Sequence, residues 1–209
     1  MKKTIFLTLL VVALIGCSNP KEASEKNFEV AIQRFLDAGF PVCVINQNFP
    51  VDNIGFSFHN NFEVFDEMTK LGLLSKTETT KKSVNKYTKA TKVATYDLTD
   101  EGKKFYQQPS AKKSIGGFCF GKAKVEEIID FTQPADMFGK TISEVNFTYI
   151  VSNIPDWAKK PEITSLNEQI KKLVEATEKP VKVDAKMVLT NKGWKHIMQD
   201  TLDDAKLDK

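Results

Sequence analysis

The chain of 209 residues carries 30 Lys and Arg against 27 Asp and Glu, is 41% apolar and holds fifteen phenylalanines. A balance that near neutral, with Arg34 as the single arginine, excludes the basic excess and the guanidinium forks on which nucleic-acid readers rely. The length suffices for one compact domain or two small ones.

The first seventeen residues set the expected compartment. Lys2 and Lys3 form a positive start, Thr4 to Ile15 is almost continuously apolar, and Gly16 places a small residue directly before Cys17. This is the order of a secretory signal peptide, with an apolar run too short for a comfortable span. It resembles in particular the bacterial lipoprotein signal, which implies cleavage after Gly16, lipidation at Cys17 and a membrane anchor. Ser18, rather than Asp, resembles the pattern sorted to an outer membrane, so the expected location is the cell envelope, on the periplasmic face of that membrane. Residues 1–16 are then signal peptide, 17–26 a lipidated polar tether, 27–110 an N-terminal α+β half and 111–209 a C-terminal α+β half. Losing Lys2 and Lys3 from 30 basic side chains leaves 28 against 27 acidic ones, nearer still to neutral.

With Cys17 lipidated, Cys43 and Cys119 remain, both in apolar strand-like text. In an oxidising compartment such a pair is a candidate disulfide. Two buried free thiols are the alternative.

Along the chain, Phe28, Ala31, Ile32, Phe35 and Leu36 form one helical stripe, ended by Gly39 and Pro41. Val42 to Ile45 and Ile54 to Phe58 read as short extended pieces around a loop. Phe62, Phe65, Met68 and Leu71 predict a second helix, and Leu71-Gly72-Leu73-Leu74 hands it to a strand. The Lys- and Thr-rich residues 75–98 predict a hairpin with solvated lysines. Thr99 is expected to cap a following helix, with Asp100 and Glu101 in its first turn. This order resembles winged-helix domains over about residues 27–108, with the hairpin as the wing. The likeness implies a fold and not DNA binding, since the protein is expected to be exported.

After a polar linker over 107–117, Phe118 to Val125 reads as one strand half lined by small residues, with Gly121 at a tight position or bulge. The second central strand alternates Val145, Phe147, Tyr149 and Val151 against Asn146, Thr148 and Ser152, the pattern of a sheet with one dry side. The connection between them, with Pro134 and Met137-Phe138-Gly139, is expected to cover an open end of the core. Ser165 with Glu168 reads as a capping box for a third long helix, and Val181 to Leu189 is the plainest strand. Leu189-Thr190-Asn191-Lys192-Gly193 then repeats Leu98-Thr99-Asp100-Glu101-Gly102, so a second strand-to-helix junction is expected at Thr190, and the two halves are read either as related or as sharing a good junction. The expected class is α+β, with helices packed on antiparallel sheets.

No metal cluster, phosphate-cradling loop or serine elbow is visible, and His59 and His196 stand apart from cysteines and paired acids. No cofactor is therefore expected. Glu126, Glu127 and Asp130 are the compact acidic group near the central strands, and adjacent strand positions keep Glu126 and Glu127 apart unless a bulge intervenes. Tyr149 and Trp157 are the candidate recognition edge, against a core or lid role for Trp157. Gly117-Phe118-Cys119, Phe131-Thr132-x-Pro134, Phe147-Thr148-Tyr149, Pro155-x-Trp157-Ala158 and Leu189 to Trp194 together resemble a set of small bacterial lipoproteins with no assigned activity. The resemblance covers residues 96–197 and transfers no catalytic residue. The function expected is a non-catalytic envelope lipoprotein that binds a protein, a peptide or cell-wall material, or has a structural role. The alternative is a carboxylate-dependent hydrolase of envelope polysaccharide, which would need two acids converging in an aromatic-lined cleft.

Overall fold

The computed structural model describes residues 19–53, 62–81, 91–110 and 113–206. In chain order they form α1 (Glu25–Gly39), β1 (Val42–Val44), β2 (Val51–Asp52), α2 (Phe62–Lys70), β3 (Leu74–Lys81), β4 (Thr91–Leu98), α3 (Asp100–Lys103), β5 (Tyr106–Gln107), β6 (Gly117–Phe120), β7 (Lys122–Phe131), β8 (Ala135–Met137), β9 (Lys140–Ser152), α4 (Pro161–Thr164), α5 (Glu168–Glu175), β10 (Val181–Thr190), β11 (Gly193–His196) and α6 (Gln199–Lys206). The class is α+β, with helices on antiparallel sheets. One sheet runs β11-β10-β9-β7 with β8 also on β9, a second β2-β4-β3 and a third β1-β6-β5.

The stripe read in α1 is its buried face, with Phe28, Ala31, Ile32 and Leu36 inside. That face lies on the large sheet, where Val145, Phe147, Ala185 and Met187 point toward it. Phe28 is fully buried, its ring 4.9 Å from both Phe131 and Trp194. Burying such a side chain is worth about 1.5–3 kcal/mol.

A larger core joins α2, α4 and α5 to the two smaller sheets around Phe65, Met68, Phe118, Trp157, Ile163 and Ile170. Each core draws on both sides of the expected boundary at residue 110. In the larger core, Val44 to Tyr106 meet Phe118 to Ala176, and in the other, α1 covers strands from the C-terminal stretch.

The helix α2 ends as its sequence predicts, at Gly72 with φ +75°, where the Leu73 N–H reaches back to the Met68 carbonyl at 2.9 Å. The hairpin over 75–98 is β3 and β4, registered from Leu74 opposite Leu98 to Lys81 opposite Thr91. Its tip, residues 82–90, lies outside the described residues, as do the extended piece expected at Ile54 to Phe58 and His59.

Four expectations change. Phe118 to Val125 is two strands in two sheets. Phe118 and Phe120 fill the larger core while Ala123 and Val125, on the opposite face by strand alternation, fill the other, and the chain leaves one sheet for the other at Gly121, φ +90°, a conformation that costs an L side chain dearly. The Thr190 box does not enter a helix. It turns β10 into β11, with Gly193 at φ +108° and the Thr190 hydroxyl donating to the Gly193 carbonyl at 2.7 Å. Trp194, on strand β11, thereby reaches Phe28. The helix expected after Ser165 starts at Glu168 with Asn167 as cap, its Oδ1 accepting the Ile170 N–H at 3.0 Å. Ser165 keeps helical dihedrals at the end of α4, and a capping residue must leave them. Finally, the Met137-Phe138-Gly139 connection covers nothing. It is the tight turn of the β8–β9 hairpin, and Phe138 is 100% exposed.

Candidate functional site

The disulfide is formed between Cys43 and Cys119, which face each other across β1 and β6. The Cys119 N–H turns away to the Phe105 carbonyl at 2.8 Å, so the two cysteines occupy a non-hydrogen-bonded pair, where side chains approach most closely. Closing a 76-residue separation is worth about 4 kcal/mol in the chain-entropy model. Both sulfurs lie 3.4 Å from Gln107 Oε1. A bridged sulfur has no proton to donate, so these are contacts rather than hydrogen bonds.

Beside the disulfide, β6 hands over to β7 at the floor of an open cleft of about 690 Å³, lined by Phe40, Phe105, Phe120, Gly121, Ile154 and Pro155 with Asp37 and Lys122 at its rim. Its floor has unusual backbone. Gly121 donates its N–H to the Asn153 carbonyl at 3.3 Å, and Asn153 is itself at φ +58°, a combination that marks sites where shape is held by the surroundings. Phe40 also lines a second cleft of about 470 Å³ between α5 and β9, with Tyr149, Val151, Leu173, Ala176 and Val181. Lys172, Glu175 and Lys179 stand around it.

Tyr149 and Trp157, expected as one edge, are separated by burial. Tyr149 is half-buried in the second cleft, and burial raises its hydroxyl pKa. Trp157 is a core residue, 7% exposed, with Phe120, Phe118 and Phe105 ring centroids at 5.3, 5.8 and 6.0 Å. Its indole N–H meets no acceptor among the described residues, which costs about 1–3 kcal/mol against the large apolar area it buries.

A third, smaller cleft holds a charged cluster absent from the sequence reading. Asp66 on α2 accepts the Tyr96 hydroxyl at 2.8 Å and the Lys76 ammonium at 2.9 Å through the same Oδ1. Lys76 also lies 3.5 Å from Glu78 and 5.5 Å above the Tyr96 ring, and Phe62 and Lys92 are among the other lining residues. Two acids do meet beside aromatics here, but the hydrogen bond from Lys76 holds the Asp66 carboxyl below its usual range. Lys76 is raised by the same bond, and Tyr96 is raised by burial and then by Asp66. A glycosidic general acid needs the reverse, a carboxyl kept protonated near neutrality.

Glu126, Glu127 and Asp130 are exposed and line none of these clefts. Bulges at Glu126 and Ile129 interrupt the β7 ladder, so the strict alternation expected there does not hold, and Asp130 accepts a bond from Asn146 at 2.6 Å. His196 ends β11, its ring stacked 3.5 Å from that of Phe35 and its Nδ1 accepting the Met198 N–H; burial lowers its pKa. Among the described residues no three His, Cys, Asp or Glu side chains gather at metal-binding distance, and no helix is long and apolar enough to cross a membrane.

Cys17 lies outside the described residues, but the stretch expected as its tether is held to the body from Asn19 onward. The Pro20 carbonyl packs over Gly193, where an added Cβ would stand 2.8 Å from its oxygen. Trp194 Nε1 donates to the Glu22 carbonyl at 3.1 Å, and Asn27 Nδ2 to the Asn19 and Glu22 carbonyls at 2.8 and 2.9 Å. The Asp66 cluster had no distinguishing sequence signal, since Asp66 is one of three acids, with Glu63 and Glu67, on the same short helix. Phe40, between Gly39 and Pro41, had none beyond being an aromatic residue at a break.

Comparison with protein-family models, curated proteins and solved structures finds no match to this chain.

Proposed function

We propose that this is a non-catalytic bacterial envelope lipoprotein, anchored through Cys17 at the periplasmic face of an outer membrane, whose folded body binds an envelope partner at the Phe40 cleft. The carrying observation is that cleft itself, open, predominantly aromatic and aliphatic, and built on a backbone locked by Gly121 and Asn153. Concave apolar sites with a few polar groups at the rim are the usual form of a recognition site. The Cys43–Cys119 disulfide supports an oxidising compartment. The ionised, lysine-bound state of Asp66 weighs against the hydrolase alternative.

For the N-terminal stretch, the winged-helix likeness is supported by the strand order β2-β4-β3, with α2 between β2 and β3. In this protein that unit acts as a structural partner of α4 and α5 in the larger core.

The test is capture of partners from envelope extracts by the mature protein and by a Pro155→Arg variant, which sets a cation at the mouth of the cleft. A partner held by the parent and lost by the folded variant supports the reading. Equal capture by both contradicts the cleft assignment.

A further inference from the structure

The β8–β9 hairpin ends in Met137-Phe138-Gly139, with Met137 half exposed and Phe138 wholly so. Phe138 also sits at φ +53° and Gly139 at φ +74°. Left-handed backbone suits Asn or Gly at such a turn and strains a bulky aromatic residue. The folded body gains nothing from this phenylalanine, neither packing nor an easy turn.

The place of this tip in the sheet is informative. On β9 and β10 the register pairs Val181 with Tyr149 and Val188 with Ile142, so continuing it sets Lys140 level with Thr190. Lys140 closes the Phe138-Gly139 turn, and Thr190 opens the Asn191-Lys192 turn of the β10–β11 hairpin. The two tips therefore stand side by side at one end of the large sheet. Pro20 packs on Gly193 at that same end. From Pro20 back to Cys17 the chain has three steps and reaches at most about 10 Å.

We infer that the Met137-Phe138 tip is a second membrane contact, inserting into the interface of the bilayer that holds the lipid on Cys17. This rests on the anchoring reading above. A reach of about 10 Å keeps this end of the body at the lipid surface, and apolar groups at such a surface bury about 5–10 Å into the headgroup and acyl boundary. Lys140 and Lys192 are exposed on the two turns and Lys21 on the adjoining tether, where ammonium groups meet anionic headgroups. Within the paired tip of the hairpin, residues 135–142, the one acid is Asp136, which accepts the Thr141 hydroxyl at 2.7 Å; Glu144 follows on β9. The tether itself adds Glu22.

The experiment uses the full lipidated chain, purified from membranes of a producing bacterium and reconstituted into phosphatidylethanolamine and phosphatidylglycerol vesicles with brominated acyl chains. Tryptophan is introduced by Phe138→Trp or, as the control, by Lys182→Trp. Lys182 is exposed and eight positions along β10 from Thr190, about 27 Å away. Trp157 and Trp194 are buried and form the common background. The expected result is quenching of the Phe138→Trp protein at least about twofold deeper than that of the control, since only the tip reaches the acyl boundary. Equal quenching of the two overturns the inference. So does concentration-dependent self-association that shifts the Phe138→Trp emission without quenching, which assigns the tip to a second copy. Palmitate label on Cys17 is read in the same samples. Labelled protein without tip quenching defeats this inference alone, whereas unlabelled protein defeats the anchoring reading and this inference with it.

Discussion

Gly102 lies directly under Leu73, so close that a Cβ at 102 would stand 2.0 Å from the Leu73 carbonyl oxygen. The Leu73 carbonyl accepts the Thr99 N–H at 3.2 Å, while the Thr99 hydroxyl donates to the neighbouring Gly72 carbonyl at 2.6 Å and accepts the Gly102 N–H at 3.0 Å. Cap, glycine and the α2–β3 turn are thus one joint, through which β4 and α3 are fixed to the larger core.

This joint separates mutational effects. Thr99→Ala should cost about 1 kcal/mol as a lost cap, and Gly102→Ala about 1–3 kcal/mol or more, because backbone must move to admit a methyl group. Thr190→Ala should cost about 0.5–1.5 kcal/mol as a lost hydrogen bond in a hairpin. Urea unfolding of the three variants beside the parent checks the ordering. A Gly102→Ala protein as stable as the parent would contradict the close approach.

The two Leu-Thr-x-x-Gly boxes also show how far the sequence could be read. Their text is nearly the same, yet one starts a helix and the other a hairpin, because the outcome depends on what stands opposite each glycine. Gly102 meets Leu73, while Gly193 meets Pro20 across a positive φ. Neither partner is near in sequence. Local signals were legible where the chain decides locally, as in the α1 stripe, the Gly72 stop, the β3–β4 hairpin and the Thr99 cap. The disulfide was legible from parity and the expected compartment. The change of sheet at Gly121 was not, since it follows from the chain serving two cores at once; of the two roles weighed for Trp157, the core one holds. The candidate cleft was least legible, because Phe40 reaches it only when α1, β1 and the β6–β7 break come together.

The Asp66 cluster predicts a pH dependence with a definite sign. Asp66 is held below its ordinary 3.8 in the fold, so near that pH the unfolded chain binds more protons, and the stabilisation is complete above about pH 4 and lost as acid titrates the folded carboxyl. Tyr96 and Lys76 are held above their ordinary 10.0 and 10.5, so their contribution is present at neutral pH and is lost only as alkali titrates the folded groups. Urea midpoints measured from pH 2 to 6 for the parent and for Asp66→Asn should converge at the acid end, with the parent more stable above pH 4. Parallel curves would show that Asp66 carries no such linkage.

The central claim is that Cys17 carries the lipid that holds this body at a membrane. Its most direct measurement is radioactive palmitate labelling with membrane fractionation of the full chain and of Cys17→Ser, expressed in a bacterium that processes lipoproteins. The account predicts label and membrane association for the parent, and loss of both for Cys17→Ser. Label retained by Cys17→Ser, or a parent chain without label, would contradict it.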